Sequence, residues 1–262
     1  FAETAGLPAD PDWGRPSAVA PRPPAKADGQ LVVMLDPGHG GIDPGAQAEG
    51  VNEADLMLKF ARELRDVLRR TGRYAVVMTR DDDIFVSLEA RVAAARAAGA
   101  DIFVSLHADA IEKGVAHGAT VYTLSHEATD AASAALAERH ERDDLLAGLD
   151  LTGTDDRVAQ VLMDIARLDN TPRSRALARH LVQGMRNAVG DVHKRPLRQA
   201  GFSVLKAADI PSVLVEVGFM SSQRDLENLV DPLWRAGMAA GIGDGIDAWA
   251  LEDAALDGLR RR

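Results

Sequence analysis

Continuous apolar runs alternate along this chain with segments whose apolar residues recur at helical spacing. The runs Leu31–Asp36, Tyr74–Thr79, Asp101–Leu106, Ala119–Leu124, Ser203–Lys206 and Ser212–Val217 predict strands. A run that is apolar at consecutive positions, not only at every second one, belongs to a strand covered on both faces. Glu53–Arg70 sets Leu56, Phe60, Leu64, Val67 and Leu68 on one helical face, with Asn52 as the expected N-cap. Ser87–Ala98 predicts a second helix, capped by Ser87, and Thr171–Val189 and Pro232–Leu251 predict two more. This alternation predicts an α/β fold with a mostly parallel sheet between layers of helices.

Three stretches break the alternation. Residues 1–30 hold six of the twelve prolines and no helical or strand period, the pattern of an extended linker or disordered arm. Residues 252–262 read as a C-terminal tail beyond a domain spanning 31–251. His126–Asn170 carries eleven acidic residues against four arginines, −7 of the chain's net −10, and reads as two helices around a Gly/Asp-rich break at Ala147–Asp156. It is either a solvated helical insertion or a regulatory element.

Composition narrows the chemistry. The 262 residues suit one large domain with appendages, and 46% hydrophobic residues supply a core. No apolar run approaches the roughly 18 residues of a membrane span. A net charge of −10 argues against nucleic acid as a partner. Without cysteine there is no disulfide or thiolate site, so any metal must be held by His, Asp or Glu. The chain opens on Phe1 instead of Met, which reads as a processed or trimmed product, so that the loss of a secretion signal would go unseen.

Four residues stand where that chemistry could be built. His39 lies in the Gly/Pro-rich turn DPGHGGIDPG just past the first strand, where open α/β sheets bind ligands. Metal binding, acid/base work and phosphate binding are all open to such a turn, although it lacks the Lys-Ser/Thr signature of a phosphate loop. Glu53 opens the first helix, where a carboxylate is either a ligand or a simple dipole partner. His107 ends the strand DIFVSL, as a ligand or a hydrogen-bonded core residue. Two imidazoles and a carboxylate form a known catalytic zinc set. Glu216 lies inside the apolar strand PSVLVEVGF, an expensive place for a carboxylate unless it is paired, protonated or ligating. It is a candidate general base and acid, or the partner of an arginine such as Arg198. His117, His126, His140, His180 and His193 have polar or helical surroundings and default to the surface.

DPGHGG with His39, GVNEADLML with Glu53, SLHADA with His107 and VLVEVGFMSS with Glu216 occur in that order between about Leu31 and Trp249. In these motifs the chain resembles the zinc-dependent N-acetylmuramoyl-L-alanine amidases of the Amidase_3 type. The resemblance implies a single-domain, twisted, mostly parallel six-stranded sheet flanked by helices. It implies one Zn²⁺ held by His39, Glu53 and His107, with Glu216 as the catalytic carboxylate. The implied reaction is hydrolysis of the amide between the lactyl group of N-acetylmuramic acid and L-Ala of the stem peptide. The small residues around His39 would then leave room for a bulky wall polymer. The segment LAERHERDDLLAG resembles the inserted helix of the division-associated branch, whose glutamate blocks the metal until a LytM-type activator protein displaces the helix. That position falls here on His140, with Glu141 beside it, so either is a candidate autoinhibitory ligand. Ser222 stands where these enzymes often carry Asn. A periplasmic monomer acting on peptidoglycan is expected. A non-catalytic peptidoglycan-binding module of the same fold is the alternative.

Overall fold

A computed structural model describes residues 29–110, 117–146, 157–190, 192–207 and 209–260. Most of the Pro-rich arm and the Gly/Asp-rich break lie outside the described residues. The first half of the fold comprises β1 (Leu31–Pro37), a short β2 (Gln47–Ala48) and β3 (Val51–Asn52), α1 (Glu53–Arg70), β4 (Tyr74–Met78), α2 (Leu88–Ala97), β5 (Ile102–His107) and β6 (Ala119–Leu124). There follow α3 (Ala131–Leu146), α4 (Arg157–Val189), β7 (Val192–Ala200), β8 (Ser212–Glu216), α5 (Gln223–Val230) and α6 (Pro232–Arg260).

The sheet has six strands in the order β4-β1-β5-β8-β6-β7. β4, β1, β5 and β8 run parallel, β6 is antiparallel to β8, and β7 is parallel to β6. Both faces are covered, which is why the strands read as unbroken apolar runs. Val33, Leu35, Val104 and Val215 pack with α1, α4 and α6 on one face, while Met34, Phe103, Tyr122 and Leu214 pack with α2, α3 and a 3₁₀ turn on the other.

Several expected elements differ. Ser203–Lys206 is not a strand: Ser203–Leu205 form the 3₁₀ turn, whose Val204 and Leu205 are apolar because they are buried in the second core cluster. The sixth strand is β7, whose sequence VHKRPLRQA holds no apolar run. It is an edge strand, largely half-exposed, and an edge tolerates the missing amide of Pro196. α4 begins at Arg157, not Thr171, and runs through Pro172. α6 extends past Leu251 to Arg260, so residues 252–260 are helical and not a tail. Arg173 of α4 donates to both oxygens of Asp253 there, each at 2.8 Å. Nor is the first helix of the acidic insertion a solvated surface helix: α3 buries Ser133, Leu136, Ala137 and His140.

The ends of three adjacent parallel strands and the start of α1 meet at one rim. Pro37 of β1 pairs with Leu106 of β5, and His107 of β5 pairs with Glu216 of β8. Asn52 occupies the N-cap of α1 in extended geometry, but its side chain makes no cap bond. The first amides of the helix donate to the His39 loop instead, Glu53 N to Ala46 O at 2.8 Å and Ala54 N to Pro44 O at 3.1 Å. Ser87 does cap α2, accepting from Ala90 N.

Candidate metal centre

The rim brings His39, Glu53, His107 and Glu216 together from positions up to 177 residues apart (216 − 39). Glu53 is fully buried and touches both rings: Oε2 lies 3.3 Å from His39 Nε2 and Oε1 lies 3.1 Å from His107 Nδ1. Its oxygens also accept from Ala46 N and Ala108 N, each at 2.9 Å. A surface dipole partner would have none of these contacts. Asp43 Oδ2 stands 2.7 Å from His39 Nδ1, an arrangement that holds the ring proton there and leaves Nε2 for ligation.

His140, a surface residue by default and one of the two candidate autoinhibitory ligands, joins them. It projects from α3 with its ring centroid 4.3 Å from that of His107 and 5.7 Å from that of His39. One donor atom from each of His39, His107 and His140 falls within 4.8 Å of the other two. Glu141 does not reach the cluster; its carboxylate accepts from Ser203 Oγ at 3.1 Å.

The electrostatics suit a cation. Burial disfavours a charged His39, but the Glu53 and Asp43 carboxylates outweigh it and raise its pKa to about 10. Burial would raise Glu53, yet the His39 charge and the hydrogen bonds of both rings hold it well below the ordinary carboxylate range. Burial and the neighbouring His140 lower His107 to about 4. An anionic carboxylate thus lies against both rings, and the acidic neighbours that favour a proton on His39 favour a metal cation in its place. Among the described residues, His39 Nε2 lies 3.3 Å from Glu53 Oε2 and His140 Nε2 lies 3.4 Å from Asp109 Oδ2, so both buried nitrogens face carboxylates. Imidazole nitrogens clustered around a buried anionic carboxylate fit a divalent ion of the His/carboxylate type such as zinc.

Glu216 is also fully buried. Oε2 accepts from Asp109 N at 3.0 Å, whereas Oε1 has no partner among the described residues. Burial, then the carboxylates of Asp109 and Glu53, push its pKa well above the ordinary value. Arg198, the alternative partner, instead donates to Asp130 at 2.9 and 3.1 Å.

Two of the glycines around His39 make room for the site's own side chains. A Cβ on Gly38 would stand 2.2 Å from His107 Cε1, and one on Gly45 would stand 2.7 Å from His39 Cδ2 and 2.8 Å from Glu53 Oε2. The turn is also no phosphate cradle. Its amides at Gly38, Gly40, Gly41, Gly45 and Ala46 are already donated, three of them to carboxylates of Asp83, Asp43 and Glu53. Ser222 caps α5, accepting from Asp225 N at 3.4 Å, a role that asparagine fills equally well.

Sequence reading passed over Asp36, Asp43, Arg80, Arg91 and Asp109. Asp36 carried the same signal as Glu216, a charge closing an apolar run. The two arginines, one beside a turn and one in a helix, carried none.

The model of the family described as N-acetylmuramoyl-L-alanine amidase matches residues 33–248, a span that holds all four rim residues. The chain belongs to the N-acetylmuramoyl-L-alanine amidase family. Among its curated relatives, the amidase AmiC of Escherichia coli O6:H1 is 36% identical over 247 residues, which is 92% of this chain and 58% of AmiC. AmiA of Escherichia coli K12 is 39% identical over 223 residues, 84% of this chain and 76% of AmiA. The chain thus spans little more than half the length of one and about three quarters of the other. Among solved structures, the amidase AmiC2 of Nostoc punctiforme superposes with a TM-score of 0.63 at 27% identity, covering 86% of this chain and 99% of that one. Within this amidase-family fold, no helix among the described residues is long and apolar enough to cross a membrane.

Proposed function

We propose that this amidase-family chain is a zinc-dependent peptidoglycan hydrolase. It cleaves the amide between the lactyl group of N-acetylmuramic acid and L-Ala of the stem peptide. It works as a periplasmic monomer, held inactive by residues about 126–170 until a LytM-type activator displaces them. The observation that carries the catalytic half is Glu216: a fully buried carboxylate with an unpartnered oxygen, paired in the sheet with His107.

His39, Glu53 and His107 would hold the zinc. Bound zinc supplies Lewis acidity, acidifying water and stabilising charge that develops on the carbonyl oxygen. Glu216 takes the proton of the attacking water and returns it to the departing L-Ala nitrogen. The burial and the neighbouring carboxylates that raise its pKa make it a competent proton holder between the two transfers. Asp43 keeps the proton of His39 on Nδ1, and the Asp109 amide orients Glu216.

The contacts of α3 support the autoinhibitory half. His140 lies against the rings of His39 and His107, within reach as a further donor. Arg139 donates to Asp109 Oδ1 at 2.6 Å and to the carbonyl of Ala110, so it fastens the helix to the strand end that bears His107.

Zinc content and stem-peptide release from purified peptidoglycan, basal and with a LytM-type domain added, test the catalytic half. We expect about one zinc per chain, and a Glu216→Gln variant that keeps its zinc but loses on the order of 10²–10⁴ in rate. Undiminished release by that variant, or a parent chain without zinc, overturns it. Zinc binding with no release by the parent would favour the non-catalytic wall-binding module.

A further inference from the structure

Two buried arginines grip the backbone that carries the ligands. Arg80 and Arg91 are 2% and 4% exposed. Arg80 Nε donates to Pro37 O at 3.0 Å, and its Nη2 bridges Gly38 O at 2.8 Å and Ala54 O at 2.9 Å. Arg91 Nη1 donates to Pro37 O and Nη2 to His39 O, both at 2.9 Å. The carbonyls of Pro37, Gly38 and His39, consecutive along the loop, are therefore all held, and one Arg80 nitrogen ties them to the residue after Glu53.

The loop needs holding. His39 has φ 58°, in the left-handed region that a residue with a side chain keeps only when its surroundings over-determine it. The required rigidity comes from forks that are themselves fixed. Arg91 Nη1 also donates to Asp36 Oδ1 at 2.7 Å, and Asp36 accepts from Thr79 Oγ1 and Ser105 Oγ, both at 2.6 Å. A planar guanidinium reaches several carbonyls at set angles, which the single ammonium of lysine cannot do.

We propose that Arg80 and Arg91 are positioning residues of the metal centre, fixing the His39 peptide planes against the first turn of α1 so that His39 and Glu53 present their donors together. The inference rests on the zinc reading above, and its test has a metal-affinity readout independent of hydrolysis. Zinc affinity of the full chain is measured by chelator competition, alongside the melting temperature of the metal-free form, for the parent, Arg80→Lys, Arg91→Lys and Thr79→Val. The last removes a hydrogen bond to Asp36 in the same buried cluster but touches no loop carbonyl.

The expected result is a zinc affinity weakened about 10- to 100-fold in either lysine variant, the range typical for lost partners that orient ligands. Thr79→Val should lose stability and keep its affinity within about twofold. The positioning role is overturned if a folded lysine variant binds zinc like the parent. It is equally overturned if Thr79→Val weakens binding as much at equal loss of stability, or if neither lysine variant folds, since the arginines would then be structural. A parent that binds no zinc defeats the zinc reading instead.

Discussion

Replacing Arg139 by alanine should loosen α3 from the site and raise hydrolysis in the absence of any activator. Arg139 Nη1 meets Asp109 Oδ1 at 2.6 Å, with the aspartate side chain 5% exposed and the arginine 27%. Truncating one partner of a buried, hydrogen-bonded charge pair costs about 2–5 kcal/mol. The part-exposed arginine places this pair at the lower end, about 2 kcal/mol. At 1.4 kcal/mol per tenfold, the population with α3 displaced rises about 30-fold. While the closed form dominates, basal release of stem peptides rises in the same ratio. Amide hydrogen exchange across α3 should quicken in parallel, and Arg139→Lys should fall between the two. Basal release and α3 exchange both within twofold of the parent would refute the reasoning. A point substitution is a sharper probe than excision of the insertion, because α3 contributes Leu136 and Ala137 to the core beneath it.

Other predictions follow from the same geometry. His140→Ala withdraws one of the three clustered imidazoles; basal hydrolysis should rise while chelator competition shows zinc affinity of the resting chain weakened by less than about tenfold, since the three proposed ligands remain. Gly38→Ala should cost at least about tenfold in zinc affinity with helix content retained, because the new Cβ would stand 2.2 Å from His107 Cε1; parental affinity would count against this packing. Asp36→Asn tests the buried cluster by pH. Burial alone would raise the Asp36 carboxyl, but Arg91, Ser105 and Thr79 outweigh it and hold the pKa below the ordinary value. A carboxyl lowered in the folded state adds stability above its unfolded pKa and loses it as pH falls through the folded one. The variant should therefore lose about 3 kcal/mol near neutrality and show a flatter acid limb in denaturant titrations; an unchanged limb would show that Asp36 is not its source.

The sequence by itself determined the element types wherever burial was two-sided. β1, β5, β6 and β8 are apolar at successive positions because helices cover both faces, and that pattern is visible without a structure. It also exposed the residues of the rim, since a histidine in a glycine-rich turn and a carboxylate inside an apolar strand are local anomalies. Elements whose environment is mixed escaped it. β7 is an edge strand rich in polar residues, and the Ser203–Leu205 turn borrowed its apolar character from the core. Only the tertiary structure decided which ordinary-looking residues belong to the site. Between His140 and Glu141 the sequence did not choose, and Arg139 carried no signal; His140 and Arg139 meet the site because α3 packs on the second face of the sheet, against the strand ends. Arg80 and Arg91 look like solvent-facing charges until the fold lays the His39 loop over them. Periodicity records which side of an element is buried; it does not record what the buried side meets, and at this rim the meeting of the strand ends, a loop and an inserted helix is what brings the proposed ligands within bonding distance of one another.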